Sequence, residues 1–154
     1  MRVGDACEQD ADEACAVIRR SIVELCTLDH QGDAATLERW LANKTPANVR
    51  TWIARHRVLV AVDGGTILGV TAMSASGEVL LNYVSPDARF RGVSKALMRG
   101  LEACATSLGI PLLTLKSTAT AVRFYRAAGF SESGPPEKGF GVTMAQPMQK
   151  GLAT

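Results

Sequence analysis

The sequence predicts an α/β fold: a mixed, mostly antiparallel sheet flanked by helices. Three observations lead there. Through residue 55 the apolar residues recur at helical spacing. From residue 58 they fall into short runs separated by tight glycine-containing turns. After residue 84 a strand, a basic loop, a helix and another strand follow in succession. The early strands are joined by hairpins, so the sheet is not doubly wound. At 154 residues the chain is expected to form one domain, residues 1–154. An apolar fraction of 47% and a charged fraction of 21% set aside a disordered, collagen-like or disulfide-stapled chain.

The elements follow in order. Asp10 and Glu13 resemble a capping box. Ala11, Cys15, Ile18, Ile22 and Leu25 then share a face, which gives a helix over about residues 11–27, broken by Asp29-His30-Gln31-Gly32. Asp33 caps a second helix bearing Leu37, Trp40 and Leu41, and Thr45-Pro46 opens a third bearing Val49, Trp52 and Ile53. Val58–Val62 is a strand, Asp63-Gly64-Gly65 a hairpin turn, and Thr66–Ser74 the return, with Gly69 as a bulge or close-approach point. Ser76-Gly77 turns into a third strand, Glu78–Val84, completing an antiparallel meander.

Val93, Leu97, Leu101, Cys104 and Leu108 mark the next helix, with Gly109 at its C-terminal cap. Ile110–Lys116 is a buried strand, parallel to Glu78–Val84 through a right-handed crossover. Ala119–Ala128 is a helix stopped by Gly129. Phe130-Ser131 begins a last strand pair that turns at Gly134-Pro135-Pro136 and closes over Phe140–Pro147, with a loose tail after Met148.

Charge and cysteines narrow the function classes. A net charge of +2 is small for a protein that grips nucleic acid, so no nucleic-acid partner is expected. The longest apolar stretches, Val58–Val62 and Ile67–Met73, are too short to cross a bilayer, so no membrane partner is expected either. Cys7, Cys15, Cys26 and Cys104 lack zinc-ligand or redox-pair spacing, and His30 and His56 do not complete a set, so no metal is expected. Unpaired cysteines and an acidic start (Asp5, Glu8, Asp10, Asp12, Glu13) without an export signal point to a reduced, cytoplasmic setting.

The loop after the third strand carries the chemistry. Residues Val84 to Lys95 lead from a strand into a helix N-terminus, whose first N–H groups have no intrahelical partner. Gly92 permits close approach to the backbone. Arg89, Arg91, Lys95 and Arg99 supply four cations with no acid between Ala88 and Leu101. The composition fits a diphosphate cradle and equally a solvated basic helix start. Neither a P-loop nor a dinucleotide fingerprint is present.

This segment resembles the acetyl-CoA signature of the GCN5-related N-acetyltransferases: a valine-ending strand, then Arg/Gln-x-x-Gly-x-Gly/Ala opening a helix. Here it reads Val84, then Arg89-Phe90-Arg91-Gly92-Val93-Ser94. The family's second signature, Asn-x-x-Ala-x-x-Phe-Tyr followed by Gly-Phe, reads Thr118 to Phe124-Tyr125, then Gly129-Phe130. Both occur in family order, and the likeness covers about residues 56–147. Ser94 stands where the family has Gly or Ala, and Thr118 where it has Asn.

The resemblance implies a domain whose parallel strand pair splays near Val84. Residues 1–55 form the acceptor side and 56–147 the cofactor-binding core. It implies an enzyme moving an acetyl group from acetyl-CoA to a primary amine of a small molecule, peptide or protein, by direct attack in a ternary complex. The alternative is a catalytically silent acyl-CoA-binding sensor or partner subunit. Tyr83 and Val84 would offer backbone groups to the pantetheine arm, with Thr118 and Phe124 beside it. Phe90 through Lys95 would wrap the diphosphate, and Arg89 and Arg91 would add charge. Arg123 and Arg126 are candidates for the 3′-phosphate, or are simply solvated.

Tyr125 takes the general-acid position, and a phenol near pKa ~10 is protonated as that role requires. Glu78, six residues before Val84 and on its face by strand alternation, is the candidate base, with solvent as the alternative. The acceptor pocket would draw on Glu24, Cys26, Asp29, His30, Trp40 and Lys44. The last hairpin is a common pairing surface in the family, which makes a homodimer an expectation.

Overall fold

The computed structural model describes residues 1–152. Its sheet has strand order β1-β2-β3-β4-β5-β8-β6, with β7 paired to β8. The strands are β1 (Arg2–Asp5), β2 (Arg57–Asp63), β3 (Thr66–Met73), β4 (Glu78–Val84), β5 (Leu112–Ser117), β6 (Ser131–Glu132), β7 (Glu137–Lys138) and β8 (Met144–Gly151). Every pairing is antiparallel except β4 with β5. Helices α1 (Ala11–Leu25), α2 (Thr27–His30), α3 (Ala34–Leu41) and α4 (Pro46–Arg55) precede the meander; α5 (Val93–Ser107) and α6 (Val122–Ala127) follow it.

Two cores lie on opposite faces of the sheet. On one, Ile18 and Ile22 of α1 and Trp40 of α3 meet Val58, Val60, Val70 and Leu81. On the other, Leu97, Met98 and Leu101 of α5 meet Leu59, Leu68, Val79, Leu113 and Leu115. Burying this apolar surface is the main favourable term holding the three layers together.

The local signals act largely as expected. The Asp33 carboxylate accepts from Thr36 N at 3.0 Å, and the Thr45 hydroxyl accepts from Asn48 N at 3.2 Å, so both helix starts are capped. Gly64 and Gly65 have positive φ, 58° and 81°, as a two-residue hairpin turn demands. The capping box lies elsewhere: the Asp10 carboxylate accepts from Cys7 N at 2.8 Å, one turn earlier than expected. Glu13 instead reaches the sheet and accepts from Ile67 N at 2.7 Å.

Other boundaries moved for tertiary reasons. Strand β1 has no alternating pattern of its own and exists through its pairing with β2. Helix α6 begins at Val122, because residues 119 and 120 donate their N–H groups to Asp29 instead of entering a helix. Residues 140–142 form a turn, and β8 starts at Met144 and pairs with β5 through Gly151, so the chain after Met148 is strand and not a loose tail. Residues 153–154 of that tail lie outside the described residues.

Two bulges interrupt the alternation. Ala61 pairs with Gly69 but Val62 with Ile67, leaving Leu68 as the extra residue in β3. Ala72 pairs with Leu81 but Met73 with Val79, leaving Leu80 extra in β4. Gly69, beside the first bulge, is also a point of close approach. A Cβ there would stand 2.7 Å from Val93 Cγ1 and 2.9 Å from Leu97 Cδ1. Gly69→Ala is therefore expected to lower unfolding free energy by about 1–3 kcal/mol, as overpacked cores do. Urea unfolding measures it, and an unchanged midpoint would show that α5 does not press on β3 at this point.

Candidate active site at the splayed strands

The site begins with a pairing that stops early. Parallel β4 and β5 share only two rungs, Glu78 with Thr114 and Val79 with Leu115. Beyond them the strands diverge. On its other edge β4 stays paired to β3 as far as Val84 with Gly69, and Ser85 N donates to Leu68 O at 2.7 Å. Antiparallel alternation then commits the backbone groups of Tyr83 and Leu81 to β3. The Thr71 hydroxyl donating to Leu81 O at 2.9 Å agrees. Backbone N–H and C=O of Asn82 and Val84 point the other way, toward β5. A cleft of about 260 Å³ occupies this gap, bounded by β4 from Val79 to Val84, by Ser117 and Thr118, and by Phe124 and Tyr125.

One end of the cleft meets the start of α5. Arg89 and Ser94 line it there. The first i→i−4 bond of α5 is Ala96 N to Gly92 O, so the N–H groups of Val93, Ser94 and Lys95 have no partner within the helix. Phe90 and Gly92 both hold left-handed backbone, φ 62° and 75°. For phenylalanine this is strained, and its ring is thrown into solvent at 93% exposure, with the Arg89 guanidinium 4.7 Å from its centre. Val93 is core and packs on the sheet. Arg91 is turned away and pairs with Asp63 of the β2–β3 hairpin at 2.9 Å. Lys95 and Arg99 line an adjoining groove of about 370 Å³ between α5 and α6, which shares Phe124 with the cleft.

Tyr125 forms the floor. Its ring packs edge-on against Phe124 and Phe130, and its hydroxyl accepts from Asn82 Nδ2 at 3.1 Å. That leaves the phenol's own O–H to donate. Burial pushes the phenol up to about 12, against a smaller lowering by the Asn82 hydrogen bond. Asn82 Oδ1 is the one buried side-chain nitrogen or oxygen without a partner among the described residues. Behind the cleft, buried Asp29 of α2 accepts from Ala119 N at 2.6 Å, from Thr120 N at 3.2 Å and from the Thr120 hydroxyl. This ties the N-terminal helices to the turn that aims α6. The Thr118 hydroxyl accepts from Ala121 N at 3.2 Å in the same turn.

Across the gap lies a second cavity of about 350 Å³, under α3 and the β7–β8 hairpin. Leu80, Leu81, Tyr83 and residues 116–118 line both spaces, so they adjoin at the splay. Trp40 and Phe140 stack in its wall, with ring centres 6.2 Å apart. Trp40 Nε1 donates to the Tyr83 hydroxyl at 3.3 Å, and burial raises that phenol's pKa. Lys44 is buried, with Nζ donating to Asn43 Oδ1 at 2.7 Å and to Trp40 O at 3.3 Å. Burial draws its ammonium down to about 8.

The expected site residues thus divide. Tyr83, Val84, Arg89, Ser94, Thr118, Phe124 and Tyr125 are brought together at the cleft. Lys95 is next to it, while Gly92 and Val93 lie at the α5 start outside the cleft lining. Phe90 and Arg91 point elsewhere. Tyr83 lines the cleft with its side chain, while its backbone belongs to β3. Glu78 is exposed at the closed end, outside both cavities. The Leu80 bulge overturns the alternation argument for it. Val79 and Val84 pack on one core and Leu81 and Tyr83 on the other, so Glu78 faces away from Val84.

His30 is satisfied and structural: Gly32 N donates to its Nδ1 at 2.9 Å and its Nε2 lies 3.1 Å from Val23 O. Cys26 lines the cleft, but burial pushes its thiol up to about 12, which suppresses the thiolate. Glu24 pairs with Arg20 on the surface, and Arg126 pairs with Glu132. Asn82 is the residue sequence reasoning passed over. Its signal was a single amide inside the apolar run Val-Leu-Leu-Asn-Tyr-Val. Among the described residues, no helix is long and apolar enough to cross a membrane.

Residues 26–152 match the family model of the acetyltransferase (GNAT) domain. No curated protein matches the chain. The fold is shared with the GCN5-related N-acetyltransferase "Aminotransferase, Class-II" from Rhodopseudomonas palustris (TM-score 0.88, 22% identity, 98% of this chain and 95% of that one). It is shared with the PaiA N-acetyltransferase from Thermoplasma acidophilum in complex with coenzyme A (TM-score 0.79, 19% identity, 98% of each chain). It is shared also with the ribosomal-protein-alanine N-acetyltransferase from Brucella melitensis (TM-score 0.70, 21% identity, 99% and 100%).

Lys44 gives this site a pH signature in stability. Its ammonium titrates near 8 in the fold against an ordinary 10.5, so between those values the unfolded chain holds the extra proton. Stability from this group therefore rises with pH through that window, and its burial cost is fully present below it. The other charged groups at the cavity are Asp29, Lys116, Glu137 and Lys138, with His56 in an adjoining hollow and the Arg19 guanidinium on the Lys44 carbonyl. Lys44→Met is expected to be the more stable protein at neutral pH, with the difference shrinking as pH approaches the upper limit. Paired urea titrations measure it, and a pH-independent difference would place the Lys44 charge in solvent.

Proposed function

The chain belongs to the GNAT acetyltransferase family, and on that premise we propose that it transfers an acetyl group from acetyl-CoA to an amine by direct attack in a ternary complex. The observation that carries this reading is the gap between β4 and β5. A slot edged by free backbone donors and acceptors suits an extended amide-containing arm, which can pair with β4 as a strand would. The α5 N-terminus, with Arg89 at one end and the Lys95–Arg99 groove beyond it, suits a phosphate-bearing tail. Ser94 leaves room for that approach and adds a hydroxyl donor. Tyr83, Val84, Phe124 and Thr118 form the walls, and residues 1–55 close the acceptor side. When bound, acetyl-CoA supplies the activated acyl group as a thioester.

The protein's own groups then do four things. The adjoining cavities hold amine and acyl carbon in line, which removes much of the entropic barrier. The Val84 N–H, aimed into the gap, hydrogen-bonds the carbonyl oxygen as negative charge develops there. Tyr125 donates its free O–H toward the departing sulfur. With the phenol held at about 12, complete proton transfer to a thiolate is uphill, so Tyr125 stabilises the leaving group by hydrogen bonding and solvent delivers the proton. Asn82 holds that hydroxyl in place. The acids at the acceptor cavity are already bonded and Glu78 stands apart, so the amine arrives neutral and releases its proton to solvent.

Calorimetry with acetyl-CoA and a thiol-release assay over a panel of amines test the reading. Binding with turnover is expected. Binding without turnover on any amine would instead favour a silent acyl-CoA sensor. Tyr125→Phe is expected to keep acetyl-CoA affinity while turnover falls roughly 10-fold or more, the scale of one lost transition-state hydrogen bond. Unchanged turnover would remove Tyr125 from the chemistry. Asn82→Leu, which frees the phenol to rotate, is expected to lower kcat in the same direction by less, and to have no added effect in the Tyr125→Phe background.

A further inference from the structure

Lys44 is a buried charged group at the cavity under α3 and the β7–β8 hairpin that the proposed chemistry does not use. It is 6% exposed, deeper than is usual for a lysine. Its Nζ makes two hydrogen bonds, both to neutral oxygens, and stands 5.7 Å from the centre of the Phe140 ring. Among the described residues no carboxylate pairs with it. A buried ammonium with only neutral partners keeps most of its desolvation penalty.

The remaining charges around the cavity are either matched or exposed to solvent. Asp29 is saturated by the N–H groups of residues 119 and 120 and the Thr120 hydroxyl. Glu137 pairs with Lys116 at 3.3 Å. Lys138 is exposed on the rim. The unmatched interior charge of the cavity is therefore positive, and it belongs to Lys44. The aromatic stack of Trp40 and Phe140 stands beside it, and the low local dielectric of its buried position strengthens any ion pair formed there.

We propose that the acceptor is an amine that also carries a carboxylate, an amino-acid-like molecule, and that the Lys44 ammonium in the cavity wall receives that carboxylate. The inference rests on the acyl-transfer reading. It assigns Lys44 to substrate recognition, with no part in bond making. A carboxylate bound there would offset the desolvation cost of the buried ammonium.

The test uses the whole 154-residue chain and matched probes: L-amino acids against their primary amides as acceptors, and the N-acetyl forms of both as ligands in the presence of coenzyme A. Calorimetry of the N-acetyl pair needs no turnover. The acid is expected to bind at least about tenfold tighter than the amide, the size of one charge-assisted hydrogen bond. The acid-to-amide ratio of kcat/KM is expected to fall by a similar factor in Lys44→Met. An unchanged acetyl-CoA affinity of the variant shows that it is folded. A lysine serving structure alone would leave that ratio untouched. Acid and amide that bind equally, or neither binding, overturn the anchor even where acetyl-CoA binds and amines are acetylated. Failure of acetyl-CoA itself to bind overturns the acyl-transfer reading instead.

Discussion

The site exists because a parallel hydrogen-bond ladder stops after two rungs. Backbone N–H and C=O groups inside a protein need partners, and neighbouring strands normally supply them. Here β5 is held along its far edge by six residues of β8, while β4 is held by β3. Neither strand is free to close on the other. The Leu80 bulge re-aims β4 where the divergence starts, and Asp29 fixes the turn at the mouth of the gap. The resulting slot presents strand chemistry without a strand. That is why an extended, amide-bearing carrier suits it and a compact ligand would use little of it.

The sheet also divides the labour. On the α5 side the groups are backbone donors, small residues and cations, a composition that suits a long anionic ligand. On the α1–α3 side they are aromatic rings and a single buried ammonium, arranged for something small. The opening in the sheet joins the two sides, and Tyr83 and residues 116–118 border both. Buried polar residues differ in purpose across this divide. His30 and Asp29 have every hydrogen bond their position requires and hold elements together. Asn82 and Lys44 keep hydrogen-bonding capacity in hand, and both face a cavity. A group that is buried, polar and only partly satisfied costs stability, so such groups concentrate where a ligand completes them.

The loop before α5 also holds unusual backbone. Phe90 occupies a left-handed conformation that glycine would adopt freely, two residues before Gly92, which adopts it as well. Gly92 leads directly into α5, whose first N–H groups have no partner within the helix. Arg91, by contrast, braces the loop against Asp63 on the β2–β3 hairpin. The loop's shape is therefore maintained by a distant turn as well as by its own residues.

Much of this was written locally. Helical spacing, the caps at Asp33 and Thr45, the Gly64-Gly65 turn and the two signature segments depend on residues within a few positions of one another, so the chain by itself specified most of the elements, their order and the strand–loop–helix segment with its basic helix start. What the chain could not specify is whatever depends on partners far away in sequence. The face on which Glu78 lies was set by one extra residue in β4, which is visible only against β3. The late start of α6 was set by a carboxylate about ninety residues earlier. Whether Tyr83 offers the gap its backbone or its ring depends on which residues of β3 it pairs with, and the significance of Lys44 depends on every acid nearby being already engaged. Alternation and propensity act over single turns and rungs; register, burial and charge balance are properties of the assembled sheet, and the tertiary structure alone decides them.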